Sequence, residues 1–285
     1  MRSLAEKYSI LQFNLFVQNF LFSVNSDNEE SIHDYRVAAK RIHTLNRLVK
    51  SIYHGKEFSQ YFEHSGIKRS FKSGGQLREI SINIFILQKF EILLKHNFKG
   101  FDIFLRREKK HAETELRKTW IFFPYDTFFI FKAELLKYLT KVSPAKFEIG
   151  YKQFLNSKVA NIKALINSGE LDHKLHRARK IIKDIKYGFE LDRVKVMDFS
   201  GHKMTLHRIT VVEDRIGKWH DWLMFSSDLK HFLEEKKNKE TLQDLKYNYL
   251  FDRAEEKLSG LQKSTSIAIT QLFQNIPEQI EQSAG

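Results

Sequence analysis

Cysteine is absent from the 285 residues, which excludes disulfides, thiolate zinc sites and a cysteine nucleophile. A chain without thiols suits a reducing compartment, and a cytoplasmic location is the expectation. Proline is scarce at 3 residues and glycine numbers only 12, so few positions interrupt a helix. Acids are the minority charge: 35 Asp and Glu stand against 48 Lys and Arg, a formal net charge of +13. Such an excess favours polyanions, whether nucleic acid, anionic lipid or phosphorylated molecules, and is silent about fold. Long apolar runs are missing too. The most apolar stretch, Tyr8 to Phe22, is interrupted by Gln12, Asn14, Gln18 and Asn19, and no small-residue cleavage site follows it. It reads as a buried amphipathic helix and not as a signal peptide or membrane span.

What is present points to helices. Hydrophobic residues make up 42% of the chain and include 25 Phe, enough for broad aromatic packing surfaces inside one large core or two smaller ones. Apolar residues recur at helical spacing over Leu4–Val24, Glu29–Tyr53, Phe58–Lys72, Leu77–Lys95, Asp102–Lys118 and Asp126–Lys141. They do so again over Phe147–Asn167, Leu171–Arg193, Thr205 to Phe225 or beyond, and Lys239–Phe273. The stretch from Ile80 to Leu87 alternates β-branched residues as a strand would. Its counterpart in the second half does not alternate, so helix is the reading for both. Asn25-Ser26-Asp27 and the segment from Ser168 to Asp172 supply turn and cap chemistry ahead of two basic helices. The fold class expected is all-α, as a pair of helical bundles.

The chain also repeats itself. His33, Arg36, Lys40 and His43 are matched by His176, Arg179, Lys183 and Lys186 at an offset of 143 (176 − 33). Arg78-Glu79 is matched by His220-Asp221 at an offset of 142 (220 − 78). Two motifs sharing nearly one shift, close to half the chain length, argue for a tandem duplication. Pro144 breaks helix continuity near the midpoint, and the halves are expected at 1–142 and 143–285.

The first motif forms a stripe. At 100° per residue, His33, Arg36, Lys40, His43 and Arg47 fall within about 80° of one another, apart from the apolar arc of Ile42, Leu45, Val49 and Ile52. His176, Arg179, Lys183 and Lys186 build the same stripe in the second half, ending in Glu190 where the first half has Arg47. Like charges at these spacings cost a helix a few tenths of a kcal/mol each, so one cationic face kept twice over asks for an anion. If a pseudo-twofold axis relates the halves, the stripes face each other across a shared cleft and concentrate positive potential there.

His33-x-x-Arg36-Val37-x-x-Lys40-Arg41 and His176-x-x-Arg179-Lys180-x-x-Lys183 resemble the paired signatures of the CHAD domain, the conserved-histidine α-helical domain. Leu77-Arg78-Glu79 and the segment Gly217 to Asp221 resemble its other paired motif, a small residue followed by Arg or His and then an acid. The resemblance spans essentially the whole chain. It implies two four-helix bundles with a basic cavity or channel between them, in which family members bind inorganic polyphosphate without being known as catalysts. By that resemblance His33, Arg36, Lys40, His176, Arg179 and Lys183 line the cavity. The sequence departs from the pattern at His43, at Glu79 and at Glu190, where the family favours a base, an Asp and no acid.

Polyphosphate suits such a surface on physical grounds. It carries about one charge per unit and no bases to read; arginine grips phosphate oxygens in pairs while lysine acts as a point charge. Histidine adds ring donors and charge below about pH 6.5, so affinity is expected to rise in acid. Arg78 and His220 are read as braces more than as ligands, because Glu79 and Asp221 beside them would repel a polyanion. Enzymatic readings find little support. Ser73-Gly74-Gly75 lacks the Gly-Lys-Ser/Thr of a phosphate loop, and Glu113-x-Glu115-x-Arg117 is a lone, imperfect echo of a triphosphatase metal motif. No His-Glu-x-x-His occurs, and bases one turn from His33 and His176 oppose a divalent cation, so neither metal, cofactor nor catalysis is expected. The rivals are a nucleic-acid-binding protein, disfavoured because only Tyr187 offers stacking near a stripe, and a scaffold for acidic proteins or anionic lipid.

Overall fold

The helical spacing of apolar residues, with few breakers, produces ten helices and one short hairpin among the described residues. The computed structural model describes residues 2–25, 29–53, 57–191, 196–199, 202–236, 242–274 and 276. In order the elements are α1 (Arg2–Asn25), α2 (Glu29–Tyr53), α3 (Glu57–His64), α4 (Ile67–Leu94), α5 (Lys99–Ile121) and α6 (Tyr125–Lys141). There follow α7 (Pro144–Asn167), α8 (Leu175–Leu191), the antiparallel strands β1 (Val196–Phe199) and β2 (His202–Thr205), α9 (Leu206–Lys236) and α10 (Leu242–Phe273). No helix among the described residues is long and apolar enough to cross a membrane.

Local chemistry explains the helices that matter for the site. α2 opens on Glu29 and Glu30 and closes near Lys50, signs that complement its dipole. Its buried face is Ile32, Tyr35, Ala39, Ile42, Leu45 and Val49, at spacings of three and four. α8 buries Leu175, Ala178, Ile182, Ile185 and Phe189 in the same way, which leaves the cationic stripe of each helix beside its apolar one. Each large apolar side chain so buried contributes about 1.5–3 kcal/mol. At the midpoint Ser143 caps α7 by accepting the Lys146 amide at 3.3 Å, with Pro144 in the first turn, where its missing N–H costs nothing.

Two apolar cores hold the helices. The larger joins Phe13, Phe16 and Phe20 of α1 to Tyr35 of α2, Phe128 of α6, Phe147 of α7 and Phe189 of α8. Phe16 stacks on Phe128 at 5.3 Å, and Phe20 meets Tyr35 edge-on at 5.2 Å. The smaller core is built from Phe90 of α4, Phe101 of α5, Phe225 and Phe232 of α9 and Leu250 of α10. Both cores draw on residues from before and after position 143.

Several boundaries differ from the sequence expectation. The break expected between Lys72 and Leu77 is absent: α4 runs unbroken through Ser73, Gly74 and Gly75, and the chain turns instead at Ser65-Gly66, where Gly66 takes φ 75°. The two glycines serve close approach and not a turn. A methyl group at Gly74 would overlap the Tyr35 hydroxyl, which donates to the Ser70 carbonyl at 3.1 Å, and one at Gly75 would meet the Arg36 guanidinium. Gly74→Ala is therefore expected to destabilise the protein by about 1–3 kcal/mol through overpacking, read as a lower urea midpoint; an unchanged midpoint would contradict the packing described. α8 begins at Leu175 and not Leu171, because Gly169 at φ 70° and the Lys174 amide, donating to the Glu170 carbonyl at 2.9 Å, hold a turn there. Thr205, expected in a helix, ends β2; four-residue strands carry too little periodicity to be seen in sequence. Asn25 belongs to α1, while Ser26, Asp27, Arg193 and Lys239 lie outside the described residues.

Candidate anion-binding cavity

Because α2 and α8 carry their cations beside their apolar faces, packing those faces brings the two stripes together. They meet in a cavity of about 540 Å³ whose other walls are α4 and α9. α2 supplies His33, Arg36, Lys40 and Arg41; α8 supplies Arg179, Lys183, Lys186, Tyr187 and Glu190. α4 adds Arg78, Glu79 and Ile82, and α9 adds Glu213, Asp214, Lys218, His220 and Asp221. Eight Lys and Arg side chains thus face five carboxylates, a balance of three positive charges in one enclosure.

The charges are not evenly satisfied. Glu190 takes Arg41 at 2.8 Å, and Glu213 takes both Lys183 at 2.7 Å and Lys186 at 3.0 Å. No carboxylate among the described residues lies within ion-pair distance of Arg36, Lys40 or Arg179. Arg36 is 7% exposed, donates through Nη1 to the Phe71 carbonyl and lies 4.3 Å over the Phe71 ring. The Nε atoms of Arg36 and Arg179 are both buried with no hydrogen-bond partner among the described residues. Lys40 and Lys183 are close enough to hydrogen-bond to each other. Two ammoniums about 4 Å apart repel by roughly 4 kcal/mol at an effective dielectric of 20, close to what a lysine loses by shedding its proton at pH 7. Accordingly burial first, and the Lys183, Arg36 and Arg179 charges second, hold Lys40 well below the ordinary lysine range. Burial likewise lowers Arg36, to about 10, and Arg179.

The neutral and acidic groups respond to the same field. Burial, then Arg78, lowers His33 to about 4; burial, then Arg179, lowers His220 to about 3. Arg78 meets the Nδ1 of His33, so that nitrogen is an acceptor and the ring is neutral. Burial raises Glu79 and Asp221 against the pull of the neighbouring arginines. Burial would raise Glu213 as well, but Lys183 and Lys186 more than reverse it and hold its carboxyl at about 2.

Of the sequence-predicted residues, His33, Arg36, Lys40, Arg78, Arg179, Lys183, Lys186 and His220 all line this cavity. His43 and Arg47 line a second one of about 350 Å³, which shares Lys40, Arg179, Lys183 and Tyr187 with the first. There His43 stacks on Phe62 at 4.8 Å, and burial, then Arg47, lowers it to about 4. Arg47 is not free for a ligand: Asp184 takes it at 2.6 Å and Lys158 at 3.0 Å, with Thr44 donating at 3.1 Å. His176 is exposed and outside the cavity lining, its ring 5.4 Å from His220 and 5.2 Å from Trp219. Glu79 and Asp221, whose repulsion of a polyanion was the ground for reading Arg78 and His220 as braces, also line the cavity; their raised proton affinity lessens that repulsion.

Sequence reasoning missed Arg41, Lys218 and Glu213 as cavity residues. Arg41 follows Lys40 in the quoted motif, and Lys218 sits between Gly217 and His220, so both were in view without a periodicity to select them. It also missed Gly75, whose missing side chain lets Arg36 lie against α4. The signal was two glycines inside a helical period. Other basic clusters are spent on neighbours. On α5, Arg106 pairs with Asp102 at 2.7 Å, Lys118 with Glu115 at 2.8 Å and Arg107 with Glu108 at 3.1 Å, a salt-bridged outer face as its interleaved acids predict. Among the described residues no group of three or more His, Asp or Glu is placed to hold a metal ion.

No family model and no curated protein matches the chain. Solved structures do. The chain is similar to the CHAD domain from the plant Ricinus communis, with a TM-score of 0.69 and 13% identity over 98% of this chain and 93% of that one. It is similar to PptA from Streptomyces chartreusis, with a TM-score of 0.68 and 11% identity over 96% of this chain and 99% of that one. Two likenesses over nearly full lengths, joined to the four motif segments on the cavity walls, settle the architecture: the chain has the fold of a CHAD domain.

Proposed function

We propose that the protein binds inorganic polyphosphate in the cavity between α2, α4, α8 and α9, and that it does so without catalysing a reaction. The observation that carries this reading is the set Arg36, Lys40 and Arg179: three buried or half-buried cations on one enclosure, none paired with a carboxylate among the described residues. Burying unpaired charge is expensive, and an anion that enters repays the cost. The ligand must be dense in charge, since several cations crowd a volume of about 540 Å³. It need carry no bases, for Tyr187 is the one Phe, Tyr or Trp ring on the cavity wall among the described residues, and Arg41 lies 5.9 Å over it. The CHAD resemblance supports the same ligand, and the cysteine-free composition accommodates a cytoplasmic setting. The paired motifs support reading residues 1–142 and 143–285 as duplicated units that each give one basic wall.

Titration with long-chain polyphosphate at two salt concentrations tests the proposal. If four phosphates are captured, affinity falls roughly 50-fold between 50 and 200 mM salt through counterion release. Competition by RNA or DNA decides between polymers: single strands are expected to displace polyphosphate only in large excess, and tighter nucleic-acid binding would reverse the assignment. Binding to anionic liposomes in preference to polyphosphate would equally count against it.

A further inference from the structure

The lysines of the second stripe are already occupied. Glu213 reaches from α9 to Lys183 Nζ through one carboxylate oxygen and to Lys186 Nζ through the other, at 2.7 and 3.0 Å. Carboxylate and lysines are all largely buried, each side chain 18% exposed or less. Two oxygens of one anionic group, each gripped by a lysine across the cavity wall, is what a phosphate of a bound chain would look like. The first-stripe cations that line this cavity, Arg36 and Lys40, have no such occupant among the described residues; the stripe's far end, Arg47, is held by Asp184 outside it. The cavity is therefore electrostatically lopsided, with an open half on α2 and a half on α8 partly filled by the protein's own anion.

We propose that Glu213 is a specificity-determining residue, a built-in competitor that a polyphosphate chain displaces from Lys183 and Lys186 on binding. This rests on the polyphosphate reading of the same cavity. An isolated phosphate at Arg36, Lys40 and Arg179 leaves the Glu213 contacts intact and gains little. A chain long enough to reach α8 offers several adjacent charges in place of one carboxylate, and the exchange favours it. Glu213 so raises the charge density a ligand must bring, discriminating through repulsion as much as attraction. The displaced carboxylate stays in the enclosure and repels the ligand, lowering affinity for every polyanion in return for selectivity.

Long-chain polyphosphate binding is measured for the wild type, E213Q, K186M and the double variant, with thermal unfolding as a check on the fold. E213Q is expected to bind about tenfold tighter and with a steeper salt dependence, because the repelling charge is gone and two lysines are unmasked. K186M alone is expected to lose no more than about twofold, since the lysine it removes was already satisfied. In the E213Q background the same substitution is expected to lose about tenfold, a non-additivity that marks the two side chains as coupled. Weaker or equal binding by E213Q shows that Glu213 merely positions the lysines, and overturns the inference while leaving the polyphosphate reading standing. A tenfold loss in K186M alone overturns it too, even if E213Q fails to fold. No binding by wild type or E213Q overturns both.

Discussion

Replacing Arg36, Lys40, Arg179 and Lys183 together by alanine is expected to abolish the proposed polyphosphate binding, a loss of at least about 100-fold, and to leave the helical content of the free protein unchanged. The first half of that result follows from the charge balance: the four removed residues include Arg36, Lys40 and Arg179, which have no carboxylate partner among the described residues, and their removal turns the cavity's balance from +3 to −1. An enclosure of net negative charge repels a polyanion where the wild-type cavity attracts it. The second half follows from where the helices get their stability. α2 and α8 are held by apolar faces that the substitutions do not touch, such as Ile42 and Leu45 on one and Ile182 and Ile185 on the other. Removing mutually repelling buried cations relieves a cost, which offsets the lost contact of Arg36 with Phe71. Filter binding and far-ultraviolet circular dichroism check the two halves separately. Retained affinity in the quadruple variant would show that the ligand sits elsewhere.

The free protein is expected to lose stability as the pH falls from 6.5 to 4, and polyphosphate is expected to restore it. In the folded protein His220 and His43 are held at about 3 and about 4, by burial first and then by Arg179 and Arg47. An unfolded histidine titrates near 6.5. Between those values the unfolded chain binds more protons than the folded one, so the stability present above pH 6.5 drains away as acid is added. At pH 4 the loss has an upper bound of about 3 kcal/mol for each ring. Glu213, held at about 2 by its two lysines, adds a similar loss only below its ordinary range, so the loss between 6.5 and 4 comes from the imidazoles, and the raised Glu79 and Asp221 carboxyls work against it. A bound polyanion reverses the sign for groups that face it: it raises the proton affinity of His33, His220 and Lys40, so binding takes up protons and tightens as the pH falls. Thermal unfolding at several pH values, with and without ligand, reads the first effect. Calorimetry in two buffers of different ionisation enthalpy reads the second, and proton release on binding would refute it. The simple expectation that histidine charge appears just below pH 6.5 does not hold for His33 and His220 in the free cavity, which are held at about 4 and about 3.

The regular part of this fold was legible because it is local. α2 falls where the apolar and cationic arcs of residues 29–53 place it, and α7 ends at Asn167 as its spacing predicts, although it starts at Pro144 and not at the expected Phe147 because proline fits the first turn. Ile80 to Leu87 is helical despite alternating β-branched residues, since α4 buries Leu77, Ile86, Leu87 and Phe90 at helical spacing. What failed was local evidence with a non-local meaning. Gly74 and Gly75 read as a breaker in isolation, but the Tyr35 and Arg36 side chains that need the space stand thirty-nine residues earlier on another helix. The cores behaved likewise: the smaller gathers Phe90 and Phe101 with Phe225 and Phe232, a pairing that no spacing announces.

Residue type and helical period alone determined that two helices would each carry a row of cations beside an apolar seam, and that an anion was wanted. Only the tertiary structure decided which of those cations stay unpaired. Arg47 is quenched by Asp184, 137 positions away, and Lys183 and Lys186 by Glu213 on a different helix, while Arg36, Lys40 and Arg179 meet no carboxylate among the described residues. A helix's period is set by backbone hydrogen bonds four residues apart, so sequence can show it. Pairing between charges depends on distances of a few ångströms between chain segments far apart in sequence, and those distances exist only once the cores have packed.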